Sequence, residues 1–301
     1  MRLALCWFAV LSMLTVATAM AAETPVLRVA YAGSMGAVMD RALGPAFAKV
    51  QHVQYQGIGQ GSYALAHLVA SKQLRVDVFV AITPGPIRVL QMAGLVDHAV
   101  PVASTRMVVV YSPGSRFAAD FKAAADGKKA WYAVLQQRGL RFGRTDPATD
   151  PQGGSVLLAL QLAARYYHQP DLLEQVAGKY QNPRQLFAET SLMSRLEAGQ
   201  IDATLGYASA AYSFHLPTIN LPAEIDLADP ALQATWYAKA GLTLANGKRI
   251  EAQPLVFYAA VLKDAAHPAL GHAFVRMLTS KQGQAALRGR GYGPPPHGKD
   301  L

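Results

Sequence analysis

Apolar residues follow two rhythms along this chain of 301 residues. Short unbroken runs read as buried strands, and three-to-four-residue spacing reads as helices. Leu27 to Tyr31 predicts a first strand. From Met35, the positions Val38, Met39, Ala42, Leu43, Ala46, Phe47 and Val50 predict a helix packed on a sheet. Val53 to Tyr55 predicts a second strand running into GIGQGS, with Ser62 capping a helix that carries Leu65, Leu68 and Val69. Val76 to Ile82 and Arg106 to Pro113 predict two more strands. A second set follows: a strand and turn over Leu140 to Pro147, then a helix with Asp150 as N-cap and Pro151 at its first position. Leu192, Met193 and Leu196 mark another helix, stopped by Gly199. Strands are expected at Asp202 to Ser209, Thr218 to Pro222 and Leu255 to Leu262, and a helical region at His267 to Leu287. Asn246-Gly247 favours a type I′ hairpin inside the irregular stretch from Ala223 to Gln253. The Pro- and Gly-rich tail after Leu287 is expected to be loose. Strands alternating with helices indicate an α/β fold, and the length allows two lobes.

The first residues follow a different pattern. Arg2 precedes an almost wholly apolar run from Leu3 to Ala17, and Ala19-Met20-Ala21 suits cleavage near Ala21. This is the pattern of a secretory signal peptide, too short for a stable membrane span. It places the protein in the periplasm. Cys6 is the single cysteine and lies in that leader, so disulfides, thiol catalysis and cysteine-bound metals are excluded from the mature chain. The formal charge is +9, or +8 once Arg2 is removed. Lys and Arg are scattered, with Lys128-Lys129 and Arg288-Gly289-Arg290 as the densest groups, so a nucleic-acid partner is not expected. A mild positive field favours capture of a small anion instead.

Three junctions place Gly and Ser near a helix start: Gly33-Ser34, Gly61-Ser62 and Gly154-Ser155. Helix starts offer unpaired N–H groups, glycine permits close approach, and serine adds a hydroxyl. Each alone reads as an ordinary cap; together they suggest an anion cradle. Ala32, Ser34 and Gly36 also form a near miss of the Gly-x-Ser-x-Gly elbow, so an exported serine hydrolase using Ser34 is the alternative. Against it, an elbow normally follows several strands, whereas Ser34 follows the first. No catalytic group is expected. The eight histidines lack metal spacing, Walker A is absent, and Gly57, Gly59 and Gly61 do not make a dinucleotide loop. In RTDPATDPQGG, Arg144 to Gly154, Asp150 is either a cap or a cleft acid.

Several segments, in this order, resemble the exported binding proteins of tungstate/molybdate ATP-driven importers, in the archaeal-type branch of the type II periplasmic solute-binding proteins. They are AYAGSMGAVMDRALGPAF, GIGQGS, RTDPATDPQGG, LEAGQIDATLGYASAAYSFHLPTINLP and the stretch from Tyr237 to Leu287. The resemblance implies two lobes, each a mixed sheet flanked by helices with the ligand in the cleft: residues 22–108 with 221–301, and 109–220. It implies a monomer that captures molybdate or tungstate, needs no cofactor, and delivers the anion to a membrane permease. Ser34 and Ser62 match the family's oxyanion-binding serines. Asp150 matches the acid that approaches the metal of the anion, and Gly153, Gly154, Ser155 and Tyr207 complete the expected ligand set. The chain departs from the family at Gln152, Gly154 and Ser155, where Cys, Tyr and Arg are usual. It departs also at Gly206, where a glutamate is expected before Tyr207. With that carboxylate missing, the expectation is a tetrahedral anion held by hydroxyl and N–H donors, with a space at Gly206.

Overall fold

The computed structural model describes residues 24–180, 182–244, 247, 249–296 and 300–301. The leader with its cleavage site, Asn246 of the expected turn, and His297 lie outside the described residues.

Among the described residues, ten strands form three sheets. The first has the order β2-β1-β3-β10-β4: β1 is Val26–Ala32, β2 Gln54–Gln60, β3 Val78–Ile82, β4 Val100–Ser104 and β10 Val256–Val261. β1 pairs in parallel with β2 and β3, and β10 runs antiparallel between β3 and β4. Every residue of β3 is buried, because helices cover both faces of the sheet. On one face Phe47 meets Phe274 edge-on at 5.2 Å. On the other, helices Ser62–Ala70 and Pro84–Met92 bring Leu65 and Leu90 onto Phe79.

The second sheet, β6-β5-β7, is antiparallel: β5 is Met107–Tyr111, β6 Ala203–Tyr207 and β7 Thr218–Asn220. Its core includes Val156, Leu160 and Leu192, from helices Pro151–Tyr166 and Glu189–Glu197. The chain passes from one sheet to the other between Ser104 and Met107 and returns near Leu255. The two passages lie side by side, with Thr105 N donating to Leu255 O at 3.0 Å. The third sheet pairs β8 (Gly241–Thr243) with β9 (Arg249–Glu251). The stretch containing it lies on helix Pro151–Tyr166: Gly241 N donates to the Gln161 side chain, and the Arg165 guanidinium sits 5.4 Å over the Trp236 ring.

Four local differences from the sequence expectations have physical causes. β2 extends through Gly57 and Gly59, because Tyr31 of β1 lies across them; a Cβ on Gly59 would come within 2.6 Å of its ring. The helix expected from Met35 runs from Gly33 to Gln51 with a π-turn over Met39–Leu43, where Asp40 accepts from the Tyr31 hydroxyl at 2.6 Å. The segment 140–147 is a loop with single bridges, Phe142 to Ala203 and Arg144 to Leu186. The last helical region divides at Ser280, whose hydroxyl caps Lys281–Arg288 by accepting from Gly283 N.

Candidate functional site

β1 and β2 are adjacent and parallel, with Ala32 opposite Gln60. Their C-terminal ends therefore deliver Gly33-Ser34 and Gly61-Ser62 to the same edge of the first lobe. Ser62 is the first residue of its helix and not its cap; Gly61 holds the cap position, and the Ser62 hydroxyl has no partner. The third junction behaves differently. Asp150 Oδ1 caps helix Pro151–Tyr166 by accepting from Gln152 N at 2.9 Å, which places Gly153, Gly154 and Ser155 inside the first turns. Ser155 Oγ donates back to Pro151 O at 3.0 Å. A Cβ on Gly153 would strike Thr145 O, and one on Gly154 would meet Ile250. Both glycines thus serve packing, Gly153 against the 145–147 loop and Gly154 against β9.

From the second lobe, three side chains come to face the two serines. Asp150 stands at the end of the 144–150 loop, Tyr207 at the end of β6, and Glu189 at the start of its helix. Glu189 has no counterpart among the residues expected from sequence. Its Oε2 accepts from Gly33 N and its Oε1 from Ser34 N, both at 2.9 Å. Thr149 O accepts from Ala64 N in the first turn of helix Ser62–Ala70 at 3.1 Å. Cavities of about 450 and 460 Å³ both border Glu189. The first reaches Ser34, Gln152 and Tyr207, and the second reaches Gly61, Thr145 and Asp150.

Polar satisfaction marks this place. Among the described residues, eleven buried side-chain N or O atoms lack a partner, and five are here: the hydroxyls of Ser34, Ser62, Thr145 and Tyr207, and Asp150 Oδ2. Folded proteins rarely leave such groups unpaired without a use for them. The Thr145 and Ser34 hydroxyls lie near the Asp150 and Glu189 carboxylates and favour their charge without reaching bond geometry. Burial pushes the Asp150 carboxyl up to about 6, with the charge of Asp146 acting in the same direction. Burial raises Glu189 well above the usual carboxylate range, and the neighbouring Asp150 charge adds to it. Tyr207 is raised by burial and then by both acids. Among the described residues no group of three or more His, Cys, Asp and Glu side chains is placed to hold a metal ion.

Residues 27–293 match the family of bacterial extracellular solute-binding proteins. The chain belongs to that family. It is 29% identical over 256 residues to the molybdate/tungstate-binding protein WtpA of Pyrococcus abyssi, covering 78% of this chain and 73% of that protein. It is 28% identical to the WtpA of Thermococcus kodakarensis, covering 77% of this chain and 70% of that one. The periplasmic molybdate-binding protein of Azotobacter vinelandii has the same fold, with a TM-score of 0.62 and 16% identity over 90% of this chain and all of that chain. The protein is thus a two-lobed extracellular solute-binding protein, and the hydrolase alternative finds no support. The Ser34 hydroxyl has no hydrogen-bond partner within the protein.

In this solute-binding protein the space expected at Gly206 is filled. Gly206 lies in β6 opposite Val108, and a Cβ there would meet Met193 Cε at 3.1 Å, Val110 Cγ2 at 3.3 Å and Gln152 Nε2 at 3.5 Å. A second carboxylate is nevertheless in the cleft, supplied by Glu189 from another element. In the sequence, Glu189 looks like any acid in a helix's first turn. Arg144, fully buried, holds the loop that leads to it: Nη2 donates to Tyr180 O at 2.6 Å and to Lys179 O at 3.3 Å, and Arg144 N donates to Gln185 O.

Proposed function

We propose that this solute-binding protein captures molybdate or tungstate between its lobes and delivers it to the membrane permease of an ATP-driven importer. The observation that carries this reading is the pair of acids, Asp150 and Glu189, set among hydroxyl and N–H donors. The donors of Ser34, Ser62, Thr145 and Tyr207 suit the oxygens of a dianion. Two carboxylates repel a dianion unless they bond to its central atom. Molybdenum and tungsten accept further oxygen ligands, whereas the sulfur of sulfate and the phosphorus of phosphate do not. The tetrahedral expectation drawn from Gly206 therefore gives way to a six-coordinate centre, with Asp150 and Glu189 each adding one oxygen. Gly153, Gly154 and Ser155 then support the Asp150 turn and do not touch the anion.

The same reading makes the protein a monomeric carrier, with no catalysis and no nucleic-acid partner, exported after cleavage near Ala21. We assign β1–β4 and β10 to one lobe and residues 107–253 to the other. The stretch from residue 223 goes with the second lobe, because it lies on helix Pro151–Tyr166. Calorimetry against molybdate, tungstate, sulfate and phosphate tests the ligand, and X-ray absorption on the molybdate-loaded protein tests the coordination number. Failure to bind either metal oxyanion would overturn the function, and a four-coordinate spectrum would remove the acids from the metal.

A further inference from the structure

Glu189 holds the first lobe as an oxyanion would. Its two oxygens take one N–H each, from Gly33 and Ser34, across 156 and 155 positions of sequence. Gly33 makes the approach possible, since a Cβ there would lie 2.7 Å from Glu189 Oε2. Thr149 O engages Ala64 N in the same sense at the neighbouring junction, again from the second lobe to the first, and Gly61 admits it: a Cβ would lie 2.7 Å from that oxygen. Two adjacent strand ends of one lobe thus have backbone donors engaged by oxygens of the other.

We propose that Glu189 is an internal anion that latches the lobes together and must be displaced from Gly33 and Ser34 before an oxyanion can take their N–H groups. The inference rests on the functional reading for the identity of the displacing ligand. It makes Glu189 a determinant of specificity. A molybdate or tungstate ion gives the displaced carboxylate a new position on the metal. A sulfate or phosphate ion leaves it beside Asp150 and a second negative charge, with no partner. Anions of the second kind are therefore refused by the carboxylate that they would have to move.

The test uses spin labels on Val50→Cys and Lys122→Cys, one exposed position in each lobe, with Cys6 absent or replaced. Interlobe distances are measured without added anion in this background and with Glu189→Gln, Glu189→Ala or Gly33→Ala added. Glutamine preserves shape while removing charge, and Gly33→Ala leaves Glu189 in place but blocks its approach. All three are expected to lengthen and broaden the distance distribution. Sulfate affinity, read by calorimetry, is expected to rise about tenfold in Glu189→Gln, the scale of one charge-assisted hydrogen bond. Unchanged distances in all three variants, each with a native circular dichroism spectrum, would overturn the latch. Unchanged sulfate affinity in Glu189→Gln would overturn its role in specificity. Absence of molybdate and tungstate binding by the unsubstituted protein would overturn the functional reading instead, and the distances would still report on the latch.

Discussion

Replacing Asp150 by Asn separates its two roles. Oδ1 caps a helix by accepting from Gln152 N at 2.9 Å, and asparagine caps as well as aspartate does. Oδ2 is buried without a partner, and the carboxyl is raised from 3.8 to about 6. A folded value above the unfolded one means that this group stabilises the fold while protonated. The contribution is complete below pH 3.8 and is lost as pH rises through 6. A gap of roughly two units at ~1.4 kcal/mol per unit amounts to about 3 kcal/mol of destabilisation at neutral pH. Asparagine removes that pH-dependent cost, but its buried amide adds a constant penalty of about 1–3 kcal/mol. The difference in stability between Asp150→Asn and the unsubstituted protein should therefore move by about 2.5 kcal/mol in favour of the variant between pH 4 and 7.5, whatever the constant part. Urea denaturation of both proteins without anion, at the two pH values, measures it. A difference that does not change with pH would refute the reasoning. In the same variant molybdate affinity should fall at least tenfold, because a metal ligand is lost.

The remaining predictions concern neighbouring groups. Ser34→Ala and Ser62→Ala should each weaken molybdate binding roughly tenfold by calorimetry with little change in melting temperature, since neither hydroxyl has a partner within the protein. Ser155→Ala should leave affinity unchanged, because that hydroxyl is bonded to Pro151 O. Arg144→Met should cost roughly 2–3 kcal/mol in denaturation, through the carbonyls of Lys179 and Tyr180 that it leaves unpaired, and should weaken binding by loosening the approach to Glu189. Metal coordination requires an ionised carboxylate, and Asp150 is raised to about 6, so molybdate binding near pH 6 should release a fraction of a proton. The calorimetric enthalpy should then vary with the ionisation enthalpy of the buffer; equal enthalpies in phosphate-free buffers of different ionisation heat would contradict this.

Much of the fold was legible because buried strands declare themselves by composition. β3 and β5 are unbroken apolar runs, and Asp150-Pro151 is a helix start that local chemistry alone defines. The strand β4 escaped notice because Pro101 lies in it, a position that only an edge strand tolerates. Two of the three Gly-Ser junctions reach the cleft. The third has the same letters but lies a turn too deep, since Asp150 has already started the helix. Glu189 was not legible. Its significance comes from Gly33 and Ser34, more than 150 residues away, and no local pattern encodes such a contact. The expectation at Gly206 failed for a related reason: whether a glycine leaves a space depends on Met193 and Gln152, which arrive from other helices.

The place of β10 in the first sheet has a consequence for the order in which the chain acquires its structure. Among the described residues, β4 has no neighbour in that sheet except β10, and β10 is the last strand in sequence. Residues 107–220, with the whole second sheet, emerge before it. The second lobe can therefore assemble from contiguous chain, while the first remains an unfinished three-stranded sheet with β4 unpaired. Closing it requires loops of over 150 residues, from β3 and β4 to β10, an entropic demand that grows only slowly with length but delays the step. The lobe that begins first is thus completed last, and until residues 256–261 arrive it presents two open strand edges, β3 and β4, to whatever else is near.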